Sequence, residues 1–237
     1  MCRSMFCAIP CFWRVWDEEA RDKMLLFLPV VGLETGAIWA LLAWLCRYLA
    51  LPALVQGAVL GAYPFVVTGF IHLDGFMDVT DAVRSCRDLA RRREILKDSH
   101  VGSFAVIGIV LLALCQTALF ASAKTAASLW TLVLLPAVSR CGSALAVTAL
   151  RPMSTSQYAA QKKPKSHVII LCAQLAVYLA AGFLAGWKTG LALCGCLAGY
   201  ALALRKAFRS LDGMNGDISG YALTLSELCG AAVWALI

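Results

Sequence analysis

The sequence predicts an all-α fold: a polytopic membrane helical bundle of about seven transmembrane helices with its N-terminus in the cytoplasm. Three observations predict it. Hydrophobic residues make up 61% of the 237-residue chain and charged residues only 15%, far from the balance of a water-soluble domain. Apolar runs recur at roughly the 17 to 25 residues that a helix needs to cross ~30 Å of hydrocarbon. Lys and Arg alternate between dense and sparse in successive connections, as they do when basic loops stay on the cytoplasmic side.

The apolar runs are 24–46, 53–71, 104–122, 127–150, 168–187, 189–204 and 221–237. The last two are short, which leaves room for an eighth or a re-entrant segment. Along the connections, Arg3, Arg14, Arg21 and Lys23 are followed by Arg47 alone. Arg84, Arg87, Arg91, Arg92, Arg93 and Lys97 are followed by Lys124 alone, and Arg151, Lys162, Lys163 and Lys165 by Lys188 alone, before Arg205, Lys206 and Arg209. The N-terminal segment and the loops 72–103, 151–167 and 205–220 are therefore expected in the cytoplasm, with the C-terminus outside. Every Asp then lies on the cytoplasmic side, and the net charge of +7 conceals a mixed, charge-dense face.

The chain reads as one integral-membrane domain, 1–237, with a cytoplasmic leader at 1–23 and a cytoplasmic active-site segment at 72–103. Asp17, Glu18, Glu19 and Asp22 precede the first apolar run, unlike the short basic start of a cleavable signal. The stretch "MFCAIPCFWRVW" interleaves aromatic residues with Arg and is suited either to lying on the membrane surface or to a plain juxtamembrane leader. Five of the 11 cysteines, Cys46, Cys115, Cys141, Cys172 and Cys229, sit singly in apolar runs, and no CxxC pair occurs, as expected of small hydrophobes. Nucleic acid is not an expected partner.

The charge concentrates in "HLDGFMDVTD", residues 72–81. On a helix Asp74, Asp78 and Asp81 fall within an arc of about 60°. An acidic face at a helix start suits the helix dipole, but three carboxylates without interleaved Lys also suit one or two Mg²⁺ ions, which prefer oxygen ligands and bridge to phosphates. Gly75 costs helix stability of roughly 1 kcal/mol, so a ligand or a neighbouring backbone must come close there. "KDSHVGSF" follows a run of Arg suited to phosphate oxygens. In it Lys97, Asp98 and Ser99 are candidate phosphate contacts, Gly102 permits a close approach, and a helix cap by Asp98 or Ser99 is the structural alternative.

In "LDGMNGDISGY", Gly216 and Asp217 could offer backbone N–H groups or another carboxylate to the same centre. Glu34, Arg140 and Glu227 fall inside apolar runs, where ionisable groups are costly. Arg140 paired with Glu34 or Glu227 reads equally as bundle glue and as a substrate contact.

These motifs, in this order, resemble the adenosylcobinamide-GDP ribazoletransferases, the cobalamin (5′-phosphate) synthases of bacteria and archaea. The likeness covers most of the chain: "FCAIP", "LPVVGLETG", "GFIHLDGFMDVTDA", "REILKDSHVGSFAV", "SR" at 139–140 and "GMNGDISGYALTLSE". Asn215 stands where the family usually has threonine, and Glu34 where an aliphatic residue is expected. The resemblance implies a Mg²⁺-dependent transferase of the bacterial or archaeal inner membrane, multi-pass, with its site facing the cytoplasm. Its substrates would be adenosylcobinamide-GDP and α-ribazole or α-ribazole 5′-phosphate. The ribazole 3′-hydroxyl attacks the cobinamide-side phosphorus, GMP leaves, and adenosylcobalamin or its 5′-phosphate forms.

Carried onto this chain, the family's motif positions are His72, Asp74, Asp78, Asp81, Lys97, Asp98, Ser99, Gly102, Arg140, Gly216, Asp217 and Glu227. Asp74, Asp78 and Asp81 are the expected metal ligands, and Asp78, Asp81 or His72 the expected catalytic base. On an ideal helix His72 points about 160° away from the carboxylates, so it joins them only if the helix unwinds near Gly75. Lys97 and Arg140 are expected on phosphate oxygens. Partners are the substrates and the lipid bilayer, with homo-oligomerisation left open. Two other functions fit less well: a phosphotransferase resembling the CDP-alcohol enzymes in chemistry, whose DGxxAR start is absent here, and a cation-coupled transporter, favoured only by Glu34 and Glu227.

Overall fold

The computed structural model describes residues 1–10, 17–123, 128–154, 156 and 164–237, and among these every regular element is a helix. In chain order they are α1 (Cys2–Phe6), α2 (Glu18–Tyr48), α3 (Ala53–Val67), α4 (Ile71–Arg84), α5 (Leu89–Ile95), α6 (Ser103–Ser122), α7 (Leu129–Ala149), α8 (Lys165–Ala185), α9 (Trp187–Leu211) and α10 (Gly216–Leu236). Arg14, Lys124, Lys162, Lys163 and the second half of "MFCAIPCFWRVW" lie outside the described residues.

All seven apolar runs fold as helices. Among the described residues, five helices are long and apolar enough to cross a membrane, namely α2, α6, α7, α8 and α9, or six if α3 and α4 together form one broken span. The run 189–204 belongs to a helix of 25 residues, about 37 Å long. The run 221–237 belongs to α10, whose 21 residues include Asp217 and Glu227. Neighbouring helices bury most of α10, so its polar groups need not face lipid.

The membrane face is legible in α6 and α8. Ile107, Val110, Leu111 and Leu114 of α6 and Ile169, Val177, Phe183 and Leu184 of α8 are exposed. In water such apolar rows would be an aggregation liability; here they are the surface that hydrocarbon covers.

Close backbone approach holds the bundle together. A Cβ at Gly32 or Gly36 of α2 would lie within 2.5 Å of the Pro136 or Val133 carbonyl oxygen of α7, the small-xxx-small packing that serves where apolar burial gives no net drive between helices. α3 shows how a proline is tolerated. Pro64 lacks the N–H that would bond the Leu60 carbonyl, and the Trp39 indole N–H of α2 donates to that carbonyl at 3.0 Å instead. Trp39 also packs on Tyr63 and Phe120 in a core at the end of the bundle away from the charged motifs.

α3, about 22 Å long, stops at Thr68, and the chain turns through Gly69 and Phe70, both at positive φ. α4 then leaves at 91°. We read the turn as the end of the span: α3 is the apolar arm, and α4, with its aspartates, lies across the end of the bundle outside the spanning segments. α4 packs on α10 and α6. The same end holds α5, whose Arg92 and Arg93 donate to the Ser210 and Leu211 carbonyls at the C-terminal end of α9. It also holds the loop after α7, where the Met153 and Met214 backbones pair and Arg151 meets Asp212. The motifs at 72–81, 97–102 and 213–220 are thereby gathered at one end.

Candidate active site

The crossing of α4 over the start of α10 builds the centre of the site. A Cβ on Gly75 would lie 2.8 Å from the Cα and carbonyl oxygen of Asp217, and one on Gly220 would lie 3.0 Å from the His72 carbonyl oxygen. The close approach that Gly75 called for is thus made by the α10 backbone, and it sets Asp217 against the acidic face of α4. Asn215 caps α10, its Oδ1 accepting from Ile218 N–H at 2.9 Å, and its Nδ2 donates to Asp217 Oδ2 at 2.6 Å. The departure from threonine is therefore functional in the fold: an amide caps the helix and orients the carboxylate with one side chain.

Asp78 is half-buried among these acids. Burial, and then the charges of Asp74, Asp217 and Asp81, push its carboxyl up to about 7, the behaviour of crowded carboxylates without a counter-charge. No described Lys or Arg forms an ion pair with Asp74, Asp78 or Asp217.

Asp81 is placed differently from the expectation. Its Oδ2 accepts from Gly102 N–H at 2.6 Å and its Oδ1 from Ala105 N–H at 3.0 Å, so it caps α6 from another helix. A Cβ on Gly102 would lie 2.5 Å from both Asp81 carboxylate oxygens. Expected as metal ligand or base, Asp81 instead holds the first turn of α6, because the Asp78-to-Asp81 step carries it to the α6 N-terminus, where unpaired N–H groups wait. Gly102, expected as a substrate contact, is the backbone that this carboxylate needs.

Asp98, expected with Ser99 as a candidate cap, turns away from α6. Its Oδ1 accepts from His100 N–H at 3.0 Å and meets His100 Nδ1 at 2.6 Å, and these bonds hold its carboxyl below the usual range. Lys97, Asp98 and Ser99 are exposed on the short α5–α6 loop. The Asp81–Gly102 contact ties the end of that loop to α4.

α4 runs unbroken through Gly75, so His72 does not join Asp78 and Asp81. It stacks on Phe6, with ring centroids 6.2 Å apart, and its Nε2 has no hydrogen-bond partner among the described residues. Burial, followed by the Arg140 charge, holds it far below its usual value, at about 3. His72 nevertheless lines a cavity of about 120 Å³ with Asp74, Gly216 and Asp217, closed by Phe6, Ser143 and Ser219. The segment 1–10 is therefore a wall of the site rather than a detached leader: Phe6 covers His72, and Ala8 N–H donates to the Val67 carbonyl at 2.7 Å. Sequence reasoning passed over Ser143 and Ser219, whose hydroxyls bond each other. Small polar residues on otherwise apolar helices were the available signal.

Of the two readings of Arg140, bundle glue with Glu34 or Glu227 and substrate contact, the structure shows the pairing with Glu227. Arg140 Nη1 donates to Glu227 Oε1 at 2.9 Å and to the Pro136 carbonyl at 3.1 Å, and Ser139 Oγ donates to the same Glu227 oxygen at 2.7 Å. Both side chains are almost fully buried, at 2% and 5% exposure, so they close on each other between α7 and α10, where neither charge could stand unpaired in the bundle interior. Glu34 pairs with Arg3 at 2.9 Å.

This is a polytopic membrane protein with a carboxylate-lined pocket at one end of its helical bundle. The chain belongs to the cobalamin-5-phosphate synthase family, whose model matches residues 1–235. It is 33% identical to an adenosylcobinamide-GDP ribazoletransferase of Clostridium perfringens strain 13, over 100% of this chain and 96% of that relative. It is 32% identical to one from Clostridium botulinum strain Alaska E43, over 97% and 93%, and 28% identical to one from Lachnoclostridium phytofermentans, over 97% and 90%. No solved structure matches the chain.

Proposed function

We propose that this chain transfers the adenosylcobinamide-phosphate group of adenosylcobinamide-GDP to the 3′-hydroxyl of α-ribazole or its 5′-phosphate, with release of GMP. The observation that carries the reading is the convergence of Asp74, Asp78 and Asp217 at the Gly75 crossing, in a chain whose whole length matches the family. The site works as one domain, and the density of Lys and Arg at that end supports a cytoplasmic orientation in the inner membrane.

The donor set fits Mg²⁺. The oxygens belong to hard carboxylates, their mutual repulsion has no cationic answer among the described side chains, and burial sharpens it. Among the described residues no three His, Cys, Asp or Glu side chains already enclose a metal position, which suits an ion that binds through one or two carboxylates and takes its other ligands from phosphate oxygens and water. Asp74 and Asp217, which line the same cavity, would hold it, and Asp78 beside them stays off the ion. When bound, it neutralises charge building on the pyrophosphate as GMP departs.

The protein's own part is positioning and proton transfer. A carboxyl near neutrality is well matched to accept a proton at working pH, so Asp78 takes the proton of the attacking 3′-hydroxyl as its oxygen bonds to the cobinamide-side phosphorus. The bond from that phosphorus to the GMP oxygen breaks, and GMP carries away the electron pair. Neutral His72, with its free Nε2, accepts or donates a hydrogen bond at the pocket floor. Lys97 binds phosphate oxygens from the exposed loop.

The carboxylates that favoured transport, Glu34 and Glu227, are engaged by Arg3 and Arg140. The test follows GMP release from adenosylcobinamide-GDP and α-ribazole by membranes containing the protein, with Mg²⁺, with EDTA and with Asp78→Asn. Metal-dependent release that is lost in the variant supports the reading. Folded wild-type protein that releases no GMP with Mg²⁺ overturns it.

A further inference from the structure

On the side of α4 away from the acidic face lies a second cavity, of about 300 Å³, between α4, α6, α9 and α10. Its walls are apolar, including Phe76 stacked on Tyr221 at 5.8 Å and the side chains of Leu111 and Leu225. Its charged lining consists of Arg84, at the C-terminal end of α4, and Lys206, near the end of α9. No carboxylate lines it, and neither cation has an ion-pair partner among the described residues. Thr80, only 5% exposed, also lines it, and its Oγ1 has no hydrogen-bond partner among the described residues. A buried hydroxyl left unpaired costs free energy, so this one fits a ligand acceptor.

We propose that this cavity binds one anionic glycerophospholipid. Arg84 and Lys206 sit at the end of the bundle that gathers the charged loops, at the depth of lipid headgroups, and they complement a phosphodiester. The Thr80 hydroxyl donates to a phosphate or ester oxygen. An acyl chain runs along Leu111 onto the exposed row of Ile107, Leu111 and Leu114 of α6, already the hydrocarbon-facing surface. A free phosphate would leave the apolar walls unused, and a zwitterionic lipid would set its own cation against Arg84 and Lys206. Because the occupant braces the back of the helix that carries Asp74 and Asp78, its binding stabilises the geometry of the site from the membrane side. The inference does not rest on the proposed reaction.

The test places the full-length protein in nanodiscs of phosphatidylcholine alone or with phosphatidylglycerol, and reads bound lipid by native mass spectrometry and thermal stability by light scattering. Wild type is expected to retain one phosphatidylglycerol and to unfold at a higher temperature when it is present. Arg84→Gln with Lys206→Gln should unfold with wild-type midpoint in phosphatidylcholine and lose the phosphatidylglycerol response, with affinity lowered roughly 30-fold. Cys115→Trp, which fills the same cavity without changing charge, should lose it too. An undiminished response in the charge variant overturns the proposal. So does equal stabilisation by phosphatidylcholine, or by inorganic phosphate added to phosphatidylcholine discs.

Discussion

The Asp81 carboxylate and the Gly102 backbone meet at 2.6 Å, and the contact joins α4 to the first turn of the helix that follows the basic loop. Side-chain caps contribute about 1 kcal/mol each, up to about 2. Asp81→Ala should lower stability by that order. Gly102→Ala forces a methyl into the carboxylate and should cost at least as much. Since both changes break one contact, the double variant should lose less than the two singles added together. Thermal unfolding of the four proteins in one detergent checks this, and additive losses would contradict the shared contact.

Asp78 carries the pH dependence. Its folded value, about 7, is raised above the ordinary carboxyl. A raised carboxyl destabilises the fold as pH climbs from the unfolded value toward the folded one, and the penalty is full above about 7. Without metal, Asp78→Asn should therefore unfold at a higher temperature than wild type at pH 8, with the gap narrowing toward pH 4. On the proposed role of base Asp78 must be ionised, and a bound Mg²⁺ favours that form, so kcat/KM should rise at a lower pH than the metal-free stability transition and then flatten. A stability gap independent of pH would remove Asp78 from the centre of the crowd.

Arg140 and Glu227 are expected to act on stability rather than on substrate, because each is spent on the other. Removing one partner of a buried pair leaves an uncompensated charge and costs about 3–5 kcal/mol. Arg140→Met and Glu227→Leu alone should each be strongly destabilised, whereas the two together should recover much of the loss. Unfolding midpoints and KM measured on the folded fraction separate the roles, with KM expected to stay near wild type.

The crossing of α4 over α10 tolerates no side chain. Gly75→Ala would place a methyl 2.8 Å from the Asp217 backbone, and overpacking of this kind costs about 1–3 kcal/mol. The helices must separate, which carries Asp217 away from Asp74 and Asp78. GMP release should fall at least tenfold with a far smaller change in KM for adenosylcobinamide-GDP. Full activity in Gly75→Ala would show that Asp217 is dispensable to the cluster.

Much of the fold was readable because a bilayer imposes a simple rule: helices that meet lipid must be long and apolar. α6 and α8 obey it all round. The rule fails for α10, which is covered by protein, and for α3, whose apolar run continues past the turn at Gly69 and Phe70. There the hydropathy of 53–71 could not reveal a 91° change of direction.

By itself the sequence determined the class of fold, the family and the helix that carries the acidic face, since apolar length, loop charge and the spacing of Asp74, Asp78 and Asp81 are local properties of the chain. Only the tertiary structure decided which groups share the site. It brought Asp217 to Asp74 and Asp78 across the Gly75 contact, committed Asp81 to α6, closed Arg140 on Glu227 and covered His72 with Phe6. Each of these outcomes depends on which unpaired N–H, charge or ring a distant segment supplies, and the sequence does not record those pairings because they are set by how the helices cross.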